Sequence, residues 1–350
     1  MLNNKKLIIV SLVLSFLLVF GGFASAQEYE MVISSYSIGD TSVSGSAAAF
    51  EYFKEMVETR TNGDIEVKTF YNSSLGGVTE VTRQTMKGDT VQSSIAYGGV
   101  FASFFEKYQL LYTPYLFENY RTAWNFLDSD YFADFISEAE ETTGLRVLGV
   151  MDDGGGFVAF TNNKRLIKTP EDLEGLRIRI EKGNAAQEAI IEGLGAKSVP
   201  LPWGDVTTAL ASGVADGQFN APYVNSFSKF WEVNDYTSWI KFIYNSAVWS
   251  VSNEWFESLP EEYQTIILNT ADEAMTISRG VNTQQCMIAW EEAKENFDDT
   301  YMPTPEVMNQ WKEKARPVYR EWIIEDYGLS EELVNEFWNA AERVQEESSN

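Results

Sequence analysis

The chain has no histidine and a single cysteine in 350 residues. Without imidazole, every catalytic triad or dyad built on histidine is excluded, and so is every histidine metal site. One cysteine permits neither an intrachain disulfide nor a thiolate cluster. Cations are scarce too: 26 lysine and arginine side chains stand against 52 acids, for a formal charge of -26. So acidic a chain repels phosphate backbones, and no basic patch offsets it, so no nucleic acid is expected as a partner. Dinucleotide-binding G-x-G-x-x-G, phosphate-loop and EF-hand patterns are absent, and no spacing points to a cofactor or metal. Core-forming residues are plentiful. At 44% hydrophobic and 14% aromatic the chain folds despite its charge, and its length is that of about two domains.

The N-terminus reads as an address. Lys5 and Lys6 precede an apolar run from Leu7 to Phe20, broken only by Ser11 and Ser15, and Ala24-Ser25-Ala26 supplies the small-x-small cleavage pattern. That run is short for a membrane anchor, which needs about 20 apolar residues. Export to the periplasm with cleavage after Ala26 is expected. The mature chain would have 350 − 26 = 324 residues and a charge of 24 − 52 = -28, since Lys5 and Lys6 leave with the peptide.

Strand and helix patterns then alternate. Met31–Ser34, Ile65–Phe70 and Ser93–Tyr97 read as strands around helices at Ala47–Thr59 and Val78–Lys87. Arg146–Val150 and Phe157–Thr161 read as two more strands, separated by Asp152-Asp153-Gly154-Gly155-Gly156, a glycine run suited to a hinge or a close backbone approach. Thr169-Pro170-Glu171-Asp172 starts a short helix with a cap, a first-turn proline and acids at the positive end. Beyond Pro260 the pattern becomes helical: Glu261 to about Phe297, then Pro305–Tyr327 and Ser330–Glu347. Alternation followed by long helices predicts an α/β protein whose two lobes are braced by helices.

Evidence for catalysis is thin. Ser226-Phe227-Ser228-Lys229 matches the S-x-x-K pattern of penicillin-recognising enzymes, but the companion K-T-G is missing, and so short a pattern recurs by chance. More informative is Leu176-Arg177-Ile178-Arg179-Ile180, where alternation puts both arginines on one strand face. A guanidinium near the end of a sheet strand suits a carboxylate in the crevice beyond, while a surface salt bridge is the blander reading for either arginine.

Residues Thr169 to Pro222, TPEDLEGLRIRI followed by LGAKSVPLPWGDVTTALASGVADGQFNAP, resemble the solute-binding subunits of tripartite ATP-independent periplasmic (TRAP) transporters, the DctP-type family. Thr59-Arg60-Thr61-Asn62-Gly63, Leu75-Gly76-Gly77 and Tyr112 to Phe117 resemble it in the same order, so the similarity spans roughly residues 29 to 335. The resemblance implies a two-lobed α/β solute-binding fold with an interlobe cleft and long C-terminal bracing helices. Lobe I would be residues 27–155, completed by part of the segment after about 247, and lobe II residues 156–246. Residues 247–350 would be a crossover strand and helices shared by both.

The resemblance also implies a non-enzymatic, monomeric receptor that captures a small organic acid and delivers it to the membrane permease subunits. It assigns the carboxylate clamp to Arg179, a further pocket contact to Asn220 and an aromatic wall to Trp203. Two departures stand out: Val158 replaces an arginine of sialic-acid receptors, and Ala96-Tyr97-Gly98-Gly99 replaces a glutamate-bearing stretch. With Trp203, the neighbouring Tyr97 and Phe157 point to a tighter, aromatic-lined pocket, for a monocarboxylate with an apolar part or a small keto or hydroxy acid. The alternatives are a zwitterionic or quaternary-ammonium solute held by some of the 49 aromatics, and a binding module serving a sensor system.

Overall fold

The computed structural model describes residues 28–349, so the expected leader and its cleavage site lie outside the described residues. The chain starts with β1 (Tyr29–Ser34), α1 (Gly45–Arg60), β2 (Ile65–Phe70), α2 (Val78–Lys87) and β3 (Ser93–Tyr97). In β2, buried Ile65 and Val67 alternate with partly exposed Glu66 and Lys68, so one face turns to the core. Ser44 caps α1 by accepting from the Ala47 N–H at 3.3 Å. Phe50 and Phe53, three apart on that helix, close on Trp249 with ring centroids 5.0 and 4.9 Å away.

After α3 (Gly98–Ala102), α4 (Tyr120–Leu127) and α5 (Asp130–Thr143) comes β4 (Leu145–Phe157). Then follow β5 (Ala159–Asn162), β6 (Arg177–Glu181), α6 (Ala185–Gly193), β7 (Lys197–Leu201), α7 (Val206–Ala211), β8 (Gly217–Asn220) and α8 (Pro222–Phe227). The rest is β9 (Tyr236–Ser238), β10 (Tyr244–Ser252), α9 (Asn253–Ser258), α10 (Glu261–Asn296), β11 (Asp299–Tyr301), α11 (Pro305–Glu321) and α12 (Glu331–Ser349).

These strands form two sheets, one in each lobe: β2-β1-β3-β10-β4 and β11-β9-β5-β8-β6-β7. The chain passes between them at Val158 and again over residues 239–243. The two crossings are paired, with Val158 N–H donating to Ile243 O at 3.2 Å and Lys241 N–H to Val158 O at 3.1 Å. A third link is α10, about 54 Å long for its 36 residues. Its first half buries Ile267, Ala271, Ala274 and Met275 in the core beneath the first sheet. Its second half buries Cys286, Trp290 and Ala293 with Trp239 and Phe230 of the other lobe. Trp311 and Tyr319 of α11 and Phe337 of α12 close a larger core that reaches both lobes.

Two local expectations need correction. The strand expected to end at Val150 continues through the glycine run to Phe157, because Gly154, Gly155 and Gly156 take φ values of 55°, 106° and 77° that other residues avoid. A Cβ on Gly155 would lie 2.1 Å from the Cys286 sulfur, so the backbone approaches α10 as only glycine allows. The helix expected at Thr169 is one 3₁₀ turn, Pro170–Leu173, with Asp172 Oδ2 accepting from the Thr169 N–H at 2.9 Å. No helix among the described residues is long and apolar enough to cross a membrane.

Candidate functional site

Between the sheets lies a cleft of about 630 Å³. Its floor and one wall come from the second sheet, where β6 ends beside β7 and β8, with Arg179 opposite Val199 and Gln218. Ile178 and Ile180 point into the core, so Arg177 and Arg179 share the other face, as the alternation required. Their fates differ. Arg177 makes a bidentate pair with Asp216, Nη2 to Oδ1 at 2.8 Å and Nε to Oδ2 at 3.1 Å, a salt bridge of an exposed guanidinium with a buried carboxylate. Arg179 is only 5% accessible and lines the cleft.

Arg179 donates from Nε and Nη2 to the Leu201 carbonyl at 3.2 and 2.9 Å, which orients its fork. Its other N–H groups find no acceptor and its charge no carboxylate within 4.0 Å among the described residues. Burial lowers its pKa, partly offset by Glu181. Trp203, in the single turn after β7, sets its ring centroid 5.7 Å from the guanidinium and is 49% exposed at the cleft. Asn220, at the end of β8, spends one N–H on Gln218 Oε1 at 2.5 Å and keeps its carbonyl and second N–H for other contacts.

Across the cleft stands Tyr97, the last residue of β3, edge-on to Tyr36 at 5.6 Å. Burial, with Glu181 and Asp153 nearby, pushes its phenol up to about 12. Phe157 is a correction: it does not line the cleft. The glycine run turns it into the core, 1% accessible, 5.1 Å from both the Tyr120 and Tyr244 rings. Val158 is likewise buried in a crossing segment.

The structure adds residues that sequence reasoning missed. Tyr36 donates to Asp153 Oδ1 at 2.5 Å, and burial pushes the Asp153 carboxyl up to about 7, Glu181 adding to the shift. Asp153 is half-buried and lines the cleft. Glu181, two residues beyond Arg179, accepts from Asn184 Nδ2 at 2.9 Å. Asn282 of α10 lines the cleft while it accepts from Gly45 N–H at 3.1 Å and donates to Asp152 O at 3.0 Å. Only the two-residue spacing of Glu181 from Arg179 was visible in sequence. Asp153 was one acid among 52 until Tyr36 was placed beside it.

Other chemistry is not assembled. The Ser226 hydroxyl hydrogen-bonds Glu292, not Lys229, so the S-x-x-K pattern makes no nucleophile–base pair. Cys286 is buried and its thiol is pushed up to about 11, a packing residue. No group of three or more acidic or cysteine side chains placed to hold a metal ion occurs among the described residues. A depression of about 820 Å³ on the outer face of α1 is shallow and ringed by charged side chains such as Glu51, Lys54 and Glu58.

Two sheets joined by paired crossings, with a buried uncommitted cation in the cleft between them, define a two-lobed solute-binding protein. The model of bacterial extracellular solute-binding protein family 7, DctP, matches residues 34–326, and the chain belongs to that family. It is a substrate-binding receptor family, not an enzyme family. The 2,3-diketo-L-gulonate-binding periplasmic protein YiaO of Escherichia coli is 28% identical over 267 residues, 76% of this chain and 80% of its own. The C4-dicarboxylate-binding periplasmic protein DctP of Rhodobacter capsulatus is 26% identical over 286 residues, 81% and 83%. A solved TRAP periplasmic solute-binding protein from Ochrobactrum anthropi superposes with a TM-score of 0.82 at 25% identity, covering 92% of this chain and 97% of that one.

Proposed function

We propose that this protein is the extracytoplasmic receptor of a TRAP transporter, which captures a small carboxylate in the interlobe cleft and hands it to the membrane permease. The observation that carries this reading is Arg179, buried in the cleft wall with no carboxylate partner among the described residues. Burying one charge alone costs several kcal/mol, and a ligand carboxylate offsets that cost with a planar two-pronged match. Trp203 supplies an apolar wall and Asn220 a polar contact from the same lobe, while Tyr97 meets the solute from the other. The relatives named above take a keto sugar acid and dicarboxylates, both anions.

Arg179→Gln, folded by its melting profile, is expected to lose at least about 100-fold in affinity for any carboxylate that stabilises the parent protein, the scale of a broken buried ion pair. Unchanged calorimetric affinity would sink the reading. Export is tested separately: the secreted form should begin at Gln27, as read by N-terminal sequencing, and an intact leader would refute cleavage after Ala26.

A further inference from the structure

The cleft is lined by more acidic than basic side chains, the opposite of what a plain anion favours. Its charged lining residues are Arg179 and Lys182 against Asp152, Asp153 and Glu181. Lys182 is exposed, its charge screened by solvent. Asp152 is occupied: it accepts from Trp124 Nε1 at 2.9 Å and from the Tyr244 hydroxyl, with the Arg279 guanidinium in electrostatic range. That leaves Arg179, Asp153 and Glu181. Among the described residues, neither of these carboxylates has a cation within 4.0 Å. Among the described residues each has a single side-chain donor, Tyr36 for Asp153 and Asn184 for Glu181, and Asp153 Oδ2 and Glu181 Oε1 receive no hydrogen bond. Tyr97 stands within electrostatic range of all three charges, edge-on to Tyr36.

We propose that the solute is a zwitterion, its carboxylate on Arg179 and a cationic nitrogen against Tyr36 and Tyr97, between Asp153 and Glu181. The inference rests on the carboxylate reading of Arg179. Above about pH 7, a solute bearing only negative charge would enter a water-poor cleft beside two ionised carboxylates, and each such approach opposes binding. A zwitterion meets opposite charge at both ends, and aromatic rings favour the cationic end further. The two open oxygens, Asp153 Oδ2 and Glu181 Oε1, are acceptors. They favour an ammonium or amidinium bearing N–H over a quaternary nitrogen, which has no proton to donate.

The test is calorimetric titration of the mature protein with α-, β- and γ-amino carboxylates and cyclic amidine carboxylates, each paired with its uncharged-end carbon isostere. Examples are proline with cyclopentanecarboxylate and 4-aminobutyrate with pentanoate. A bound zwitterion should exceed its isostere by about 100-fold or more. Asp153→Asn and Glu181→Gln should each remove most of that advantage, and Arg179→Gln should abolish binding of both members. The titratable groups in range of Asp153 are Tyr36 after β1, Tyr97 from β3, Tyr108 and Tyr112 from the 3₁₀ turns after α3, and Glu181 from β6, with Asp152 preceding it on β4. A zwitterion held by ionised Asp153 should bind more weakly as pH falls below about 7, by up to tenfold per unit. Isosteres that match their zwitterions in affinity, and tighten as pH falls, would overturn the proposal and leave the carboxylate receptor standing. No binding by either series, or binding indifferent to Arg179→Gln, would overturn both.

Discussion

At the scale of single residues, Asp153 holds the cleft's least comfortable charge, since burial and Glu181 both favour its protonated form. Its folded pKa of about 7 lies above the ordinary 3.8, so the folded state binds the proton more tightly than the unfolded one. Unfolding stability of the empty protein therefore rises as pH falls through 7 toward 4, and the penalty is full above 7. Asp153→Asn should stabilise the empty protein at pH 8, on the order of 2 kcal/mol, and much less at pH 4.5. Melting midpoints at the two pH values check this; equal shifts would show that the carboxyl is not strained. The arginines show what sequence can carry at this scale. Alternation placed Arg177 and Arg179 on one face, and it could not say which would meet Asp216, 39 residues away, and which would stay unpaired. That choice depends on where along β8 the strands align, a tertiary fact. Tyr36 and Asp153, 117 residues apart, were invisible for the same reason.

At the scale of elements, the glycine run was legible as a place where the backbone does something unusual, and its effect was not. Composition announced freedom of dihedral, but only the packing of α10 against β4 shows what that freedom serves. Gly154 would meet Val224, Gly155 Cys286 and Gly156 Tyr244 if each carried a Cβ, so three elements converge on three residues just before the first crossing. The same turn swings Phe157 into the core, and a reading by alternation could not follow it there. Gly155→Ala should cost about 2–5 kcal/mol, combining left-handed backbone strain with overpacking against the Cys286 sulfur. Adding Cys286→Ala should restore the packing part and leave the backbone part. Full recovery in the double variant would assign the whole cost to the clash, and no loss in the single variant would show that the approach to α10 is slack. The long C-terminal helices, by contrast, were read nearly to their ends, since their periodic burial is local.

At the scale of the whole molecule, both sheets line one cleft. Arg179, Trp203 and Asn220 stand on the second sheet or the turn that follows its strands; Tyr97 and Asp153 stand on the first, with Tyr36 just beyond β1. A solute touching both sets favours the closed arrangement by as much as its contacts there exceed those it makes with one lobe alone. Paired crossings at Val158 and Lys241 join the two sheets, and Asn282 ties α10 to α1 and β4 on the side of the first sheet. The -26 formal charge is spread over surfaces screened within about 10 Å in 0.1 M salt, so it bears on solubility more than on what enters the cleft. Trp203 is nearly half exposed, lines the cleft and sets its ring beside Arg179, so a solute there would cover it. Saturation with a bound carboxylate should shift tryptophan emission to the blue as Trp203 is covered, and Trp203→Phe should lose most of that change while keeping measurable affinity. A shift that survives the substitution would place the moving surface elsewhere. A loss of all affinity would instead make Trp203 part of the grip on the solute, with the cation-facing ring setting how Arg179 meets the carboxylate.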